Sequence, residues 1–372
     1  MSVKDFWSNL ITGLIKILLS VKETQSNQLG SPKRILIVRQ HNQFGDLLAS
    51  VSLFRAVKET YPDSHLTVIA SPQNYYAVVK NKFIDELFVF EKSKILNYSY
   101  FNRLRDLLKR KYDLAITPST VSISFTSLLL MRLANSEIRI GVNSLNGKPN
   151  KYNFLFDRRI DLNWNAKPDA HVSDFILDLV RPFGISTNDF SSSVDFTEED
   201  IRTAKEFITG LGKAENEKLI GLHVGAGKPK NRWSLDKYIE LIRKLNSEFQ
   251  VKFYLTGSNS DDEEITYVKN NLGMEIGIFL NRSIPELAAL ISESDLFITN
   301  DTGVMHVAGT TKTPQVSIFG PTNPFNWAPI GSNKYFIRKS DLIDDVKVSD
   351  VFPVCKQILL NEKVEINEFS GN

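Results

Sequence analysis

"RILIVRQHNQFGDLLASVSLFRAVKET", residues 34–60, is the stretch on which the fold turns. A branched apolar run, 34–39, gives way to polar residues and then to Phe44, Gly45 and Asp46. Leu47, Leu48, Val51, Phe54 and Val57 follow at the spacing of one helix face over 45–60. The order is therefore strand, loop, helix. A strand this apolar is covered on both faces, as in a parallel sheet. Asp46, directly after a glycine, suits a helix start, where a carboxylate meets free N–H groups. The end of a buried strand is also where a general base would stand. The residues alone leave both readings open.

The same alternation extends outward. Strand-like runs recur at 65–70, 86–90, 112–117 and 138–144, with a further helix at 122–134. Residues 145–170 are polar-aromatic with no period, 171–182 read as a helix, and "FGISTNDFSSSVDFTEED" reads as a linker. The alternation then restarts, with strands at 218–224, 251–257, 295–300 and 314–320 and helices at 234–246, 261–272 and 283–294. The last segment, 344–359, has a helical pattern despite Pro353. The pattern predicts an α/β chain with two Rossmann-like parallel-sheet domains, 31–195 and 196–340, and a C-terminal helix and tail, 341–372. Such domains bind ligands beyond the carboxyl ends of their strands.

Residues 1–30 form a separate segment. Phe6, Trp7, Leu10, Ile11, Leu14, Ile17, Leu18 and Val21 recur at spacings of three and four, with Lys4, Lys16 and Lys22 between them. The run is shorter than the ~20 residues of a spanning helix, and no clear cleavage site follows it. It suits an interfacial helix lying on a membrane through residues 4–21, or equally a helix packed on the protein's own surface.

Composition narrows the function. With 42% apolar and 24% charged residues and a net charge of +2, the chain has no strong field for a polyanion, and no nucleic-acid partner is expected. A single cysteine, Cys355, excludes an internal disulfide and a multi-cysteine metal site. The five histidines, His41, His65, His171, His223 and His306, show no close ligand spacing. Neither an Asp-X-Asp pair nor a Gly-X-Ser-X-Gly elbow is present. Serine hydrolase and metallohydrolase readings therefore lose support, and no metal or other cofactor is expected.

The polar clusters of the second half stand just after strands. "HVGAGKPKNRW", 223–233, brings Gly225, Ala226 and Gly227 together with Lys228, Lys230 and Arg232 ahead of a helix, a composition that suits phosphate. It is neither a Walker loop nor a dinucleotide fingerprint. "NDTGVMH", 300–306, offers Asp301 or Thr302 as a cap and the N–H groups from Gly303 onward, with His306 one turn later. The bland reading of both is turn and capping chemistry. Asp261, Asp262 and Glu263, after the strand at 251–257, could accept sugar or ribose hydroxyls, although acids at a helix start are ordinary.

Taken together, "ILIVRQHNQFGDLLASVSLFRAVKETYP", "GLHVGAGKPKNRWSLDKYIELIRKL", "LTGSNSDDEE" and "FITNDTGVMHVAGTTKTPQVSIFGPTNPFNWAP" resemble glycosyltransferase family 9, the lipopolysaccharide heptosyltransferases. The resemblance covers most of 34–331. It implies a GT-B fold, two Rossmann-like domains facing across a cleft. It also implies inverting, metal-independent transfer of a sugar, heptose from ADP-heptose, to a lipopolysaccharide core or related lipid-linked glycan at the cytoplasmic face of the inner membrane. By the same resemblance Asp46 is the general base, and Asp301, Thr302 and Gly303 meet the donor diphosphate. One position departs from the pattern. Many members carry a lysine two residues before the tryptophan, and here that residue is Asn231, flanked by Lys228, Lys230 and Arg232. The alternatives are a nucleotide-sugar epimerase or hydrolase of the same fold, and a non-catalytic nucleotide- or glycan-binding protein.

Overall fold

The computed structural model describes residues 3–40 and 44–364, with side chains considered from Leu10 onward, Ile11 excepted. His41, the side chains of Lys4, Phe6 and Trp7, and the tail 365–372 lie outside the described residues. The chain divides into two compact units, Met1–Phe190 and Ser191–Asn372. The division falls five residues before the expected one.

The first unit contains α1 (Val3–Leu19), β1 (Arg34–Arg39), α2 (Phe44–Ala49), α3 (Val51–Thr60), β2 (His65–Ala70), β3 (Glu86–Val89) and α4 (Tyr98–Lys109). It continues through β4 (Tyr112–Thr117), α5 (Phe125–Leu133), β5 (Ser136–Leu145), β6 (Lys148–Pro149), β7 (Arg158–Leu162) and α6 (Val172–Phe175). The strands run β3-β2-β1-β4-β5, all parallel, with β7 added parallel to β5 and the short β6 antiparallel to it. Ile35, Leu36, Ile37 and Val38 are wholly buried, as a strand covered on both faces requires.

The second unit contains α7 (Glu198–Gly210), β8 (Lys218–His223), α8 (Leu235–Glu248), β9 (Val251–Gly257), α9 (Asp262–Leu272), β10 (Gly277–Leu280) and α10 (Ile284–Ser292). After these come β11 (Leu296–Asn300), α11 (Gly303–Gly309), β12 (Gln315–Phe319), α12 (Pro324–Trp327), β13 (Lys334–Arg338) and α13 (Val348–Leu359). Its sheet, β10-β9-β8-β11-β12-β13, is wholly parallel. Counted within the domain the order is 3-2-1-4-5-6, the dinucleotide-fold order. α13 buries Val351, Phe352, Cys355 and Leu359 in this domain's core, which is why 341–364 is no separate segment.

Several elements differ from expectation. The helix over 45–60 is two helices broken at Ser50, whose hydroxyl donates to the Asp46 carbonyl at 2.8 Å. The stretch 171–182 holds only α6 followed by 3₁₀ turns, the last containing Pro182 and ending at Gly184 with φ of +79°. The end of the expected linker is the start of α7, where Thr197 and Asp200 form a capping box. The region 145–170 contains β6 and β7, the latter hidden by its charges: Arg158 pairs with Asp157 at 3.0 Å and Arg159 with Glu23 at 2.9 Å.

A buried cation fixes the far end of α11. The Lys334 ammonium donates to the carbonyls of Ala308 (3.1 Å), Thr311 (2.8 Å) and Thr313 (2.6 Å). Ala308 belongs to the last turn of the helix, and its carbonyl also accepts from the N–H and hydroxyl of Thr311.

Candidate functional site

In each sheet the order reverses between two central strands, β1 and β4 in one domain and β8 and β11 in the other. Crevices form outside the carboxyl ends of such strands. Most of the residues singled out from sequence lie near these two places, and Asp262 and Glu263 do not.

In the first domain β1 ends in Arg39, which is only 3% exposed. Its Nη1 donates to the Pro118 carbonyl at 2.9 Å and its Nη2 to Thr120 Oγ1 at 3.4 Å, both just beyond β4. The same Nη2 lies 3.6 Å from the carboxylate of Asp46, itself 5% exposed, in the first turn of α2. Nε of Arg39 is buried without a hydrogen-bond partner. Burial lowers the pKa of the guanidinium, and the opposing pull comes from Asp46. Gln40 anchors the chain just before the 41–43 segment. Its N–H donates to Ser127 Oγ, its side-chain amide to the Phe90 carbonyl, and its carbonyl accepts from Ser124 Oγ.

In the second domain the centre is Asn300, the buried last residue of β11. Its Nδ2 donates to the carbonyls of Val224 and Gly225, both at 3.0 Å. Its Oδ1 accepts from the Trp233 N–H (3.1 Å) and the Tyr238 hydroxyl (3.0 Å). One amide thus ties the end of β8, the start of α8 and the end of β11 together. Trp233, wholly buried, also donates Nε1–H to the Val346 carbonyl at 2.8 Å.

Asn231, at the position where the family pattern has lysine, faces inward from the 223–233 loop. Its Nδ2 donates to Asp301 Oδ2 at 2.8 Å and to the Asp301 carbonyl at 3.2 Å, while its Oδ1 is buried without a partner. Burial raises the pKa of Asp301, opposed by a hydrogen bond from Thr322 and by the charge of Lys228. Thr322 lies in the loop after β12, so three strand ends meet at this carboxylate. Lys228, Lys230 and Gly227 are exposed at the mouth of the loop. Arg232 turns inward instead: it pairs with the buried Glu264 of α9 and donates to the Ala226 carbonyl.

Thr302 caps α11 by backbone conformation, without a side-chain cap hydrogen bond. The His306 ring stands edge-on to Trp327 at 6.3 Å. Asp261 accepts from the N–H and hydroxyl of Ser258, and its other oxygen lies where a Cβ on Gly225 would be, 2.1 Å away. Gly225 is therefore needed for the approach of that carboxylate. Asp262 and Glu263 are exposed in the first turn of α9 and make no part of this cluster. His223, buried at the end of β8, donates Nδ1–H to the Thr256 carbonyl at 3.0 Å, which leaves Nε2 as an acceptor. Burial holds its pKa below the usual value, against the pull of Asp261 and Thr256.

Arg39, His223, Asn300 and Thr322 were not singled out from sequence as site residues. The signal for two of them was a polar residue ending an otherwise apolar strand: Arg39 after "ILIV" and Asn300 after "LFIT". Among the described residues no group of three or more His, Cys, Asp or Glu side chains is placed to hold a metal ion.

The profile described as Glycosyltransferase family 9 (heptosyltransferase) matches residues 101–350. Lipopolysaccharide heptosyltransferase 3 of Escherichia coli is 22% identical over 299 residues, which is 78% of this chain and 84% of the relative. Lipooligosaccharide heptosyltransferase 2 of Haemophilus ducreyi is 25% identical over 324 residues, 80% and 86% of the two chains. The crystal structure of a family 9 glycosyl transferase from Veillonella parvula superposes with a TM-score of 0.76 at 19% identity, covering 92% of this chain and all of that one. The E. coli ADP-heptose lipopolysaccharide heptosyltransferase II does so with a TM-score of 0.70 at 20% identity, covering 88% and 99%. These likenesses identify the fold as GT-B, and the profile match over most of the chain makes it a member of glycosyltransferase family 9, and thus a glycosyltransferase.

Proposed function

We propose that the chain transfers heptose from ADP-heptose onto a lipopolysaccharide core or a related lipid-linked glycan, at the cytoplasmic face of a membrane. Its relatives include lipopolysaccharide and lipooligosaccharide heptosyltransferases, one of them an ADP-heptose enzyme, and these support that donor and acceptor class. The observation that carries the reading is the cluster at the carboxyl ends of β8, β11 and β12. Asp301 is held there by Asn231 and Thr322, beside the cation Lys228. In the reaction the donor diphosphate meets Lys228, Lys230 and the N–H groups at Thr302–Val304. These groups stabilise the charge that develops as the nucleotide leaves. Asp46 takes the proton from the attacking acceptor hydroxyl, and the sugar carbon inverts in a single displacement. With the leaving charge met by fixed donors, no divalent ion is required.

Arg232 is better read as a strut of the loop than as a phosphate ligand, because Glu264 already neutralises it. Lys228 then replaces the lysine that Asn231 displaces. The test is a panel of ADP-, GDP-, UDP- and dTDP-sugars in the presence of EDTA, scored for thermal stabilisation and for turnover with and without acceptor. The expected result is stabilisation by ADP-sugars, turnover only with acceptor, and no loss to EDTA. Lys228→Ala is expected to weaken nucleoside diphosphate binding about tenfold, by losing one charge-assisted contact. Turnover without acceptor would favour an epimerase or hydrolase, and stabilisation with no product under any pairing would favour a binding protein.

A further inference from the structure

The helix α1 has two apolar stripes, and the fold uses one of them. Ile15 and Leu19 pack on the first domain's core beside Phe154 and Leu155. The helix end is then tied down by four contacts. The Leu19 carbonyl accepts from Arg132 Nε at 2.7 Å, Val21 N–H donates to the Phe154 carbonyl at 2.9 Å, Thr24 N–H donates to the Asp157 carbonyl at 2.8 Å, and Glu23 pairs with Arg159. The second stripe is Leu10, Leu14, Ile17 and Leu18, spaced i, i+4, i+7 and i+8 on one face. All four are exposed, Ile17 at 81% and Leu18 at 75%. A helix that has already found its seat gains nothing within the described fold from this second stripe.

We infer that α1 is a rigidly mounted foot by which the first domain stands on an anionic lipid surface. Charge decides the occupant. Between residues 10 and 22 the only charged side chains are Lys16 and Lys22, both exposed; the acid that follows, Glu23, is paired with Arg159, and the helix's one acid, Asp5, stands in the sequence five residues before Leu10. Exposed aliphatic side chains with cations alone among and just after them suit an anionic headgroup layer with acyl chains beneath. The helix lies on the surface, since no described helix is long and apolar enough to cross a membrane. Its mount matters as much as its stripe. Phe154–Asp157 leads directly into β7, so the lipid plane would be fixed relative to the first domain's sheet rather than joined to it by a loose tether.

The experiment is co-sedimentation of the full chain with phosphatidylglycerol/phosphatidylcholine vesicles and with phosphatidylcholine vesicles. The wild type is expected to bind the anionic vesicles and to bind the neutral ones less. Ile17→Glu/Leu18→Glu, at two exposed positions that carry little folding cost, should reduce partitioning at least about tenfold with Tm unchanged, because two apolar side chains are lost to the interface. Lys16→Glu/Lys22→Glu should abolish the preference for the anionic vesicles. The inference fails if the wild type binds neither vesicle or if the glutamate pair leaves binding intact. It also fails if the stripe instead holds two copies together, seen as a dimer in solution that the glutamate pair breaks. Vesicle binding is read without turnover, so its failure and that of the transferase reading are separable.

Discussion

Asp46→Asn is expected to lower the transfer rate by on the order of 10²–10⁴-fold, the range for loss of a positioned base, while nucleoside diphosphate affinity stays near wild type. The substitution keeps the shape of the side chain and removes its charge. Arg39 then loses its ionic partner at 3.6 Å, and it is buried with one N–H already unpartnered. Part of the outcome will therefore be structural, since an uncompensated buried cation is costly. Steady-state kinetics set beside Tm and nucleotide titration separate the two. A catalytic role gives a collapse in kcat that the loss of stability does not account for. Unchanged kcat with a lowered Tm would reduce Asp46 to the structural partner of Arg39.

The second large effect is expected at Asn300. Replacement by leucine keeps roughly the volume and removes the amide that serves four groups: two carbonyls of the 223–225 segment, the Trp233 N–H and the Tyr238 hydroxyl. Buried polar groups stripped of partners cost about 1–3 kcal/mol each, and water can rescue some of them. The net loss should be on the order of 3–5 kcal/mol by denaturant titration. Nucleotide affinity should fall beyond what unfolding explains, because the loop carrying Lys228 and Lys230 loses its register against β11. A stability change within about 0.5 kcal/mol, the range of ordinary surface substitutions, would remove Asn300 from the role of hub.

What could be read from sequence follows from physics at two ranges. The central strands were legible because burial on both faces leaves continuous apolar runs, and β1, β2, β4 and β9 fall at the expected residues. The helix start at Ser283, which caps itself locally with Glu286, was legible too, whereas the similar capping box at Thr197 and Asp200 was read as the end of a linker. β7 was not legible, because three of its five residues are charged; Arg158 is neutralised by its neighbour Asp157, and Arg159 by Glu23, which only the fold brings near. At the site, Asp46, Asp301 and the glycine-cation loop were visible as local patterns. Their partners were not: Asn231 meets Asp301 across 70 positions and Arg39 meets Pro118 across 79. Asn231 read as a missing cation. In the fold it donates to Asp301, beside the exposed Lys228. The N-terminal helix posed a choice between self-packing and a membrane-facing stripe; Ile15 and Leu19 pack on the first domain, while Leu10, Leu14, Ile17 and Leu18 are exposed.

The lysine plugging α11 has an alkaline consequence. Burial pushes the Lys334 pKa from 10.5 down to about 8. Between those values the unfolded chain holds a proton that the folded chain has released, so this residue makes folding more favourable as pH rises through that window and less so as pH falls through about 8. Lys334→Met should flatten the slope of Tm against pH there. α11 begins at Gly303, directly after Asp301 and Thr302. The acidity of the medium is thus felt at one end of a helix whose other end adjoins the proposed donor site, one and a half turns away.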